Sequence, residues 1–151
     1  MHVHRYLPCI NGCLGKTYIP VPILPENAHS RIPWPPGVQE QTFVCPVCSR
    51  ATVYTRASLL LDSTPMQGGP DLCTQTAVFL LSVPCGIDKC AGLVEMRVVM
   101  PKDASIESAA DLAPRIFADS IPCTKGLHIH NGRCVGVSSI GFAADSKWGA
   151  L

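Results

Sequence analysis

The sequence predicts a mostly β fold, a small α+β protein with short antiparallel strands in two tandem units and one short helix in the second. Two observations lead to this prediction. The chain of 151 residues contains 14 prolines and 12 glycines, which interrupt long helices and favour short strands joined by turns. Cysteines also recur at corresponding positions in the two halves, each time beside apolar segments of β-type composition.

The shared cysteine pattern indicates an internal repeat. The matched pairs are Cys9 with Cys85, Cys13 with Cys90, and Cys45 with Cys123. A proline precedes the first cysteine of each half, and a glycine follows the second after one intervening residue. Similar flanking residues at three matched cysteines favour duplication over coincidence. We therefore expect a first unit over 1–62, a linker over 63–74, and a second unit over 75–151 that includes a C-terminal tail.

The first unit is expected to contain four strands and one irregular loop. The strands are expected at 4–7, 17–24, 41–44 and 51–55. In the loop at 25–37, prolines surround Trp34 and exclude a regular helix or a central strand. Trp34 is expected to cover the small core as a buried lid, and its presentation to a partner is the alternative.

The second unit is expected to contain the helix. Strands are expected at 75–83 and 93–100, where apolar residues cluster. The helix is expected at 105–112, capped by Asp103 or Ser105 and ended by Pro114. The tail after residue 134 is rich in small residues and predicts no defined element.

The first unit contains four cysteines in two close pairs, which predicts a metal site. Cys45-Pro46-Val47-Cys48 is a compact knuckle, and Cys9 and Cys13 form the second pair. Four soft ligands in two pairs suit tetrahedral zinc. The chain has nine cysteines and its N-terminus has no apolar signal segment, so we expect a reducing, cytoplasmic location. There, this spacing indicates metal more often than a disulfide.

The second unit lacks one cysteine of this set. Cys85, Cys90 and Cys123 are present, but Gly126 stands where the counterpart of Cys48 would be. His128 is the first choice for the fourth ligand, because imidazole replaces thiolate in many zinc sites. The alternative ligands are His130 and Cys134, and a strand over 127–130 would place both histidines on one face. Loss of the metal, with the three cysteines buried in the core, is the remaining alternative.

Residues 4–55 resemble a zinc ribbon, through Cys9, Cys13, Cys45 and Cys48. The Cys45–Cys48 pair also resembles the second knuckle of rubredoxin-type proteins. The resemblance implies paired knuckles on short strands and a bound metal ion, without any particular activity. The first pair of each unit is spaced Cys-x3-Cys or Cys-x4-Cys instead of Cys-x2-Cys, which favours zinc over iron. We expect two zinc ions, one in each unit.

These features predict a non-enzymatic zinc-binding module with structural metal sites that acts by binding a macromolecule, first of all a protein, or by self-association. Four protein ligands leave no open position for a substrate. No apolar run approaches the length of about 20 residues that spans a bilayer, so no membrane partner is expected.

Three other functions stay open. The first is nucleic-acid binding, although the net charge is only +1. Its contact set would be Arg50, Arg56, Lys89, Arg97 and Lys125. The second is a small metalloenzyme with an open three-cysteine zinc site in the second unit. Its acid–base groups would be His128, His130, Asp88 and Glu95. The third is redox sensing by Cys73 and Cys134.

Overall fold

The computed structural model describes residues 5–20, 34, 35, 37–62, 76–85, 90–126, 128–134 and 139–142. Within these ranges the strands are β1 (Arg5–Pro8), β2 (Lys16–Tyr18), β3 (Glu40–Val44), β4 (Arg50–Thr55), β5 (Leu60–Leu61), β6 (Thr76–Pro84), β7 (Leu93–Pro101), β8 (Phe117–Pro122), β9 (Ile129–Arg133) and β10 (Ser139–Phe142). The helices are the 3-10 helix η1 (Arg56–Ser58), α1 (Ile106–Leu112) and the 3-10 helix η2 (Ala113–Arg115). The predicted mostly β fold class is confirmed.

The strands form two sheets, and the larger sheet combines both halves of the chain. The small sheet has the order β2-β1-β5, and the large one has the order β10-β6-β7-β3-β4-β8-β9. The β3–β4 hairpin of the first half lies between β7 and β8 of the second half, and it pairs with both in parallel. This insertion gives partners to two strand edges that an isolated hairpin would leave unpaired.

The two units predicted over 1–62 and 75–151 therefore both contribute strands to the large sheet. Residues 63–74, the expected linker, lie outside the described residues, and strands on either side of that segment share hydrogen bonds. The two units can be compared as hairpin pairs with similar turns, but they are not separate sheets.

Two hydrophobic clusters cover the two faces of the large sheet. Phe43 belongs to the smaller cluster and its neighbour Val44 to the larger one. In β7, Val98 belongs to the larger cluster, and Val99 packs against the smaller one. Successive side chains of a strand point to opposite faces, so the clusters lie on opposite sides. The small sheet contributes Leu7 to the smaller cluster.

Trp34 is fully buried in the smaller cluster. Its ring centroid lies 6.3 Å from that of Phe43, and its Nε1–H donates to the carbonyl of Val38 at 2.9 Å. A buried indole with its polar group bonded contributes to the core. The prediction of a buried Trp34 is confirmed, and the alternative in which Trp34 faces a partner is wrong.

The predicted helix begins after Ser105. The backbone N–H of Ser108 donates to the Ser105 hydroxyl at 3.2 Å, so Ser105 forms the cap. The α-helix ends at Leu112, and η2, which contains Pro114, follows directly. Among the described residues, no helix has the length and apolar character needed to cross a membrane.

Strand prediction succeeded best where apolar residues are dense. The predicted strands at 4–7, 41–44, 51–55, 75–83 and 93–100 correspond to β1, β3, β4, β6 and β7. In the segment 17–24, β2 covers Lys16–Tyr18, and residues 21–24 lie outside the described part of the chain. Three further strands, β5, β8 and β10, were not predicted, and β9 was considered only as one possibility, over 127–130.

Gln41 introduces a local energetic cost into the core. Its side chain is only 3% exposed, and neither its Oε1 nor its Nε2 has a hydrogen-bond partner among the residues that the structure describes. A buried amide without partners costs about 1–3 kcal/mol. We expect Gln41→Met, which keeps the side-chain length, to raise the free energy of unfolding by about 1 kcal/mol. Chemical denaturation checks this, and a destabilised variant would show that the amide is satisfied in solution.

Candidate metal centres

Four cysteine side chains converge where the first two hairpins meet, and we call this group site 1. Cys9 and Cys13 lie in the turn between β1 and β2, and Cys45 and Cys48 lie in the turn between β3 and β4. Their sulfur atoms all lie within 4.8 Å of one another. The Sγ–Sγ distance is 3.6 Å both between Cys9 and Cys48 and between Cys13 and Cys45.

Backbone hydrogen bonds shape the two turns of site 1. The N–H of Cys9 donates to the carbonyl of Gly15 at 3.0 Å, and the N–H of Gly15 donates to Cys13 Sγ at 3.2 Å. In the other turn, the N–H of Cys45 donates to the carbonyl of Arg50 at 2.9 Å. An N–H aimed at sulfur stabilises the thiolate form, which is the form that binds a metal.

Gly15 allows the two turns of site 1 to approach each other. A Cβ atom at this position would lie 2.7 Å from Cys45 Sγ and 3.0 Å from the side chain of Val47. Real side chains do not tolerate such distances, so residue 15 is restricted to glycine by contact with a ligand sulfur. The side chain of Asn11 also joins the first turn to strand β4, because its Nδ2–H donates to Thr52 Oγ1 at 3.0 Å.

A second group, which we call site 2, lies at the turns of the β6–β7 and β8–β9 hairpins. It consists of Cys85, Cys90, Cys123 and His128, whose ligand atoms also lie within 4.8 Å of one another. The Nδ1 atom of His128 is 3.7 Å from Cys85 Sγ. The structure therefore places three cysteines and one histidine where a metal ion can be held.

The turns of site 2 repeat the hydrogen bonds of site 1. The N–H of Cys85 donates to the carbonyl of Gly92 at 3.0 Å, and the N–H of Gly92 donates to Cys90 Sγ at 3.4 Å. The N–H of Cys123 donates to the carbonyl of His128 at 2.9 Å. A Cβ at Gly92 would lie 3.1 Å from Cys123 Sγ. The same contacts thus join matched residues in the two halves.

This correspondence explains why His128 enters site 2. Its carbonyl accepts the bond that Arg50 accepts in site 1, so His128 occupies the turn position of Arg50, two residues beyond that of Cys48. Gly126, at the position of Cys48, has a φ of +69° and carries no ligand atom. The imidazole is longer than a cysteine side chain and reaches back to the three sulfurs.

The two alternative ligands lie outside the group of four. His130 Nδ1 is 3.1 Å from the backbone carbonyl of Cys85, so this side chain lies beside site 2. Cys134 is 4% exposed within the larger hydrophobic cluster, and its N–H donates to the carbonyl of Ile116 at 3.1 Å. Burial raises the pKa of its thiol.

The donor geometry fits zinc at both sites. A tetrahedral ion with Zn–S bonds of about 2.3 Å separates its sulfur ligands by about 3.8 Å, close to the 3.6 Å in site 1. Zn–S and Zn–N bonds of about 2.3 and 2.0 Å separate S and N by about 3.5 Å, close to the 3.7 Å in site 2. Structural zinc sites are commonly formed either by four cysteines or by three cysteines with one histidine.

The four thiols of site 1 cannot all ionise easily on their own. Burial raises the pKa of Cys9, but a hydrogen bond with the backbone of Asn11 and the neighbouring thiols outweigh it and bring the pKa to about 7. Burial and the neighbouring thiols raise the pKa of Cys48 to about 12. The thiolate form of Cys9 is therefore favoured, whereas that of Cys48 is disfavoured. A divalent cation removes this conflict by stabilising all four thiolates.

The two sites lie at opposite ends of the large sheet. Strand β3 ends just before Cys45, and strand β7 begins shortly after Cys90. Because β3 and β7 run parallel, the end of one and the start of the other are at opposite ends of the sheet. Each end of the sheet thus contains one group of four potential ligands.

The remaining residues, which the sequence suggested for nucleic-acid contact, acid–base catalysis or redox sensing, do not form one site. Arg50 places its guanidinium 4.8 Å from the centre of the Phe117 ring, and Arg56 and Lys125 are exposed. Glu95 is exposed on β7, and it lines a cavity of about 210 Å³ together with Arg97 and Gln41. The structure brings none of these residues into the two groups of four. The other predicted residues, Cys73, Asp88 and Lys89, lie outside the described residues.

Comparison with models of known protein families, with curated proteins and with solved structures finds no match for this chain. What the structure establishes is therefore a mostly β fold with two cysteine-rich groups positioned to bind metal.

Replacing His128 with alanine is expected to remove one zinc ion per chain and leave site 1 loaded. Three sulfurs remain in site 2, and loss of a fourth ligand weakens zinc binding strongly. His130→Ala is the matched control, since His130 lies beside the site without entering the group. Zinc content measured after dialysis against a weak chelator checks this. Equal loss in both variants would contradict the assignment of His128.

Proposed function

We propose that this protein is a non-enzymatic zinc-binding module in which two structural zinc ions fix the opposite ends of one sheet, and which acts by binding another protein. The observation that carries the proposal is the convergence of four protein ligand atoms at each site, within 4.8 Å. A zinc ion with four protein ligands has no open position for water or substrate. Such an ion contributes free energy of folding instead of chemistry.

The position of the sites supports a structural role. Each site joins two hairpins that are distant in sequence, such as Cys9 on the first turn and Cys48 on the second. The first hairpin belongs to the small sheet and the second to the large sheet. Zinc at site 1 would therefore hold the two sheets together, while zinc at site 2 would join β6–β7 to β8–β9 across the inserted hairpin.

Metal removal under native conditions tests the structural role. We expect a strong chelator to abolish the dispersed amide spectrum of the protein, and added zinc to restore it, because folding and metal binding are linked. A metal-free protein that keeps its spectrum and its melting transition would contradict a structural role for zinc.

The surface of site 1 supports a protein partner. Apolar side chains project from its two turns: Ile10 is 65% exposed, Leu14 is 98% exposed and Val47 is 69% exposed. The side chain of Val47 closely approaches Gly15, the residue after Leu14, so the two turns present adjoining apolar surface. Contiguous exposed apolar surface on a protein commonly marks an interaction site.

The second turn of site 2 is polar where that of site 1 is apolar, which gives an internal comparison. The position of Val47 is taken by Lys125, whose side chain approaches Gly92 as Val47 approaches Gly15. The position of Pro46 is taken by Thr124, and both Thr124 and Lys125 are exposed. Site 2 shows that the same arrangement of ligands can form with polar residues in the second turn. Metal binding therefore does not explain the exposed apolar residues of site 1, whereas a protein partner would.

Replacing exposed apolar residues in the turns of site 1 with their counterparts from site 2 tests this partner surface. We expect Leu14→Ala combined with Val47→Lys to keep two zinc ions and the melting temperature, and to lose a protein that crosslinks to the wild type in cells. Ile129→Ala is the control, because Ile129 is 62% exposed but lies on β9. An unchanged set of crosslinked proteins in the double variant would contradict this surface.

A further inference from the structure

A cavity of about 500 Å³ lies beside site 1, between strands of the two sheets. Strand β2 of the small sheet lines one side of it, and the last residues of β7 in the large sheet line another. The second turn of site 1 and the segment from α1 to η2 complete the lining. What this cavity can bind depends on the backbone groups that the two strands direct towards it.

The hydrogen bonds between β6 and β7 determine which residues of β7 point away from β6. The N–H of Cys85 donates to the carbonyl of Gly92, and the antiparallel register continues without a shift to the end of β7. Backbone groups in such a pair alternate between the two sides of the strand. Those of Val98 and Met100 therefore point towards β6, whereas the N–H and C=O of Val99 point to the other side, where β3 lies.

Among the described residues, Val99 has no strand partner on the side of β3. Strand β3 pairs with β7 only at Phe43 and Arg97, and it ends at Val44. If the parallel register continued, the carbonyl of Val99 would accept from residue 46, which is a proline without an N–H. Val99 is also partly exposed and lines the cavity, so its backbone forms an open strand edge there.

Strand β2 presents a second open edge to the same cavity, because it is an outer strand of the small sheet. The N–H of Cys9 donates to the carbonyl of Gly15, and the N–H of Ile19 donates to that of Arg5. Alternation along the strand then points the N–H and C=O of Lys16 away from β1. Lys16 lines the cavity. Extended peptides bind to proteins by adding to open strand edges of this kind.

The side chains that line the cavity suit apolar residues of an extended segment. Val44 and Val98 are buried members of the larger hydrophobic cluster, and Met100 and Leu112 pack against that cluster while partly exposed. Apolar side chains placed against them are removed from water. Pro46, in the second turn of site 1, adds another apolar contact.

The charges around the cavity disfavour an acidic segment. Cys45 is part of the wall, and a site of four thiolates around one zinc ion carries two negative charges. Asp111 and Arg115 line the cavity as exposed groups of opposite charge. The ammonium of Lys16 lies 4.8 Å from the centre of the Tyr6 ring, which does not line the cavity. The surplus is therefore negative, and it favours a neutral or basic occupant.

We propose that this cavity receives an extended segment of a partner protein, which pairs its main chain with Val99 and places apolar side chains against Val98, Met100 and Leu112. Basic or neutral residues alternate with the apolar ones. The cavity adjoins the exposed apolar surface of site 1, because Pro46 lines the cavity and Val47 follows it directly. The inference rests on the proposed binding of a protein, and it names the form that the partner takes.

Hydrogen exchange of the zinc-loaded protein tests the open edge. In the free protein, we expect the Val99 amide to be roughly tenfold or more less protected than the amides of Val98 and Met100, which bond to β6. A strongly protected Val99 amide in the free protein would overturn the proposal, because the edge would already be occupied by the chain itself.

The probe for binding is an acetylated and amidated hexapeptide in which valine and lysine alternate. We expect one peptide to bind per chain and to raise the protection of the Val99 amide roughly tenfold, with no change at Val98. The same peptide with glutamate in place of lysine should bind severalfold more weakly. The lysine peptide with methylated backbone nitrogens should not bind, because it has no N–H to donate. Absence of binding by the lysine peptide, or equal binding by its methylated form, would overturn the proposal.

Val99→Pro removes the outward N–H of Val99 without removing a bond to β6. We expect this variant to keep both zinc ions and to bind the lysine peptide roughly tenfold more weakly, since one hydrogen bond is lost. Val99→Thr is the matched control, because it keeps the N–H and the branched shape, and it should bind normally. Equal binding by Val99→Pro and Val99→Thr would contradict pairing at this edge. If Val99→Pro does not fold, the methylated peptide decides.

The outcomes separate this inference from the proposed function. Failure of the lysine peptide to bind protein that contains two zinc ions would overturn the peptide site alone. A protein that stays folded without zinc, or crosslinking that is unchanged in the Leu14→Ala and Val47→Lys double variant, would instead overturn the proposed function.

Discussion

Replacing Cys45 with serine is expected to remove zinc from site 1 and to unfold the protein at room temperature. Cys45 is 2% exposed at the end of β3, and its sulfur is one of four ligand atoms. Structural zinc sites contribute about 10–16 kcal/mol of apparent binding free energy, whereas whole domains are stable by only about 5–15 kcal/mol. Loss of zinc from site 1 thus removes free energy comparable with the whole stability of a domain, together with a link between the two sheets. The hairpins at site 2 already belong to one sheet, so loss of that ion leaves the fold in place.

Far-ultraviolet circular dichroism and zinc analysis of the Cys45→Ser protein provide the measurement. Cys134→Ser is the matched control, because Cys134 is also buried but belongs only to the larger hydrophobic cluster. We expect it to keep two zinc ions and lose about 1 kcal/mol. A Cys45→Ser protein that melts like the control would contradict a structural site 1.

Gly15→Ala is expected to be strongly destabilising, although it adds only one methyl group. The new Cβ would lie 2.7 Å from Cys45 Sγ, and a ligand sulfur held by a metal cannot move away without leaving its position. We expect the variant to bind zinc more weakly at site 1 and to lose about 3 kcal/mol of stability, at the upper end of overpacking costs.

Gly92→Ala provides the internal comparison for this effect. Its Cβ would lie 3.1 Å from Cys123 Sγ, 3.1 Å from the side chain of Lys125 and 3.2 Å from Cys90 Sγ. These contacts are several tenths of an ångström longer than the one at Gly15, so a much smaller shift relieves them. We expect a loss of about 1 kcal/mol and a normal zinc content. Thermal melts with and without chelator measure both variants. Equal stability of the two variants would show that the short distance between residue 15 and Cys45 Sγ does not restrict residue 15 to glycine.

The ligand groups could be predicted from sequence because knuckles are local structures. Two cysteines separated by two to four residues face one another across a single turn, whatever the fold around them. The choice between His128 and His130 required the structure, because the positions of both depend on where β9 begins. In the structure β9 begins at Ile129, which leaves His128 in the turn beside the three sulfurs.

The interleaving of the two halves could not be predicted from sequence. It depends on the parallel pairing of β3 with β7 and β4 with β8, which joins segments far apart in the chain. Hydrophobic periodicity says which residues form a strand but not which strand is its neighbour. Strand β8 was missed because its sequence is polar in the middle, where a register shift separates Ala118 from Ile121 and Ser120 has a φ of +58°.

Native mass spectrometry of the protein purified without added metal tests the central claim most directly. The account predicts a folded species whose mass exceeds that of the chain by two zinc ions. His128→Ala should retain one of them, and Cys45→Ser should give an unfolded distribution of charge states. A folded chain that contains no bound metal would contradict the account.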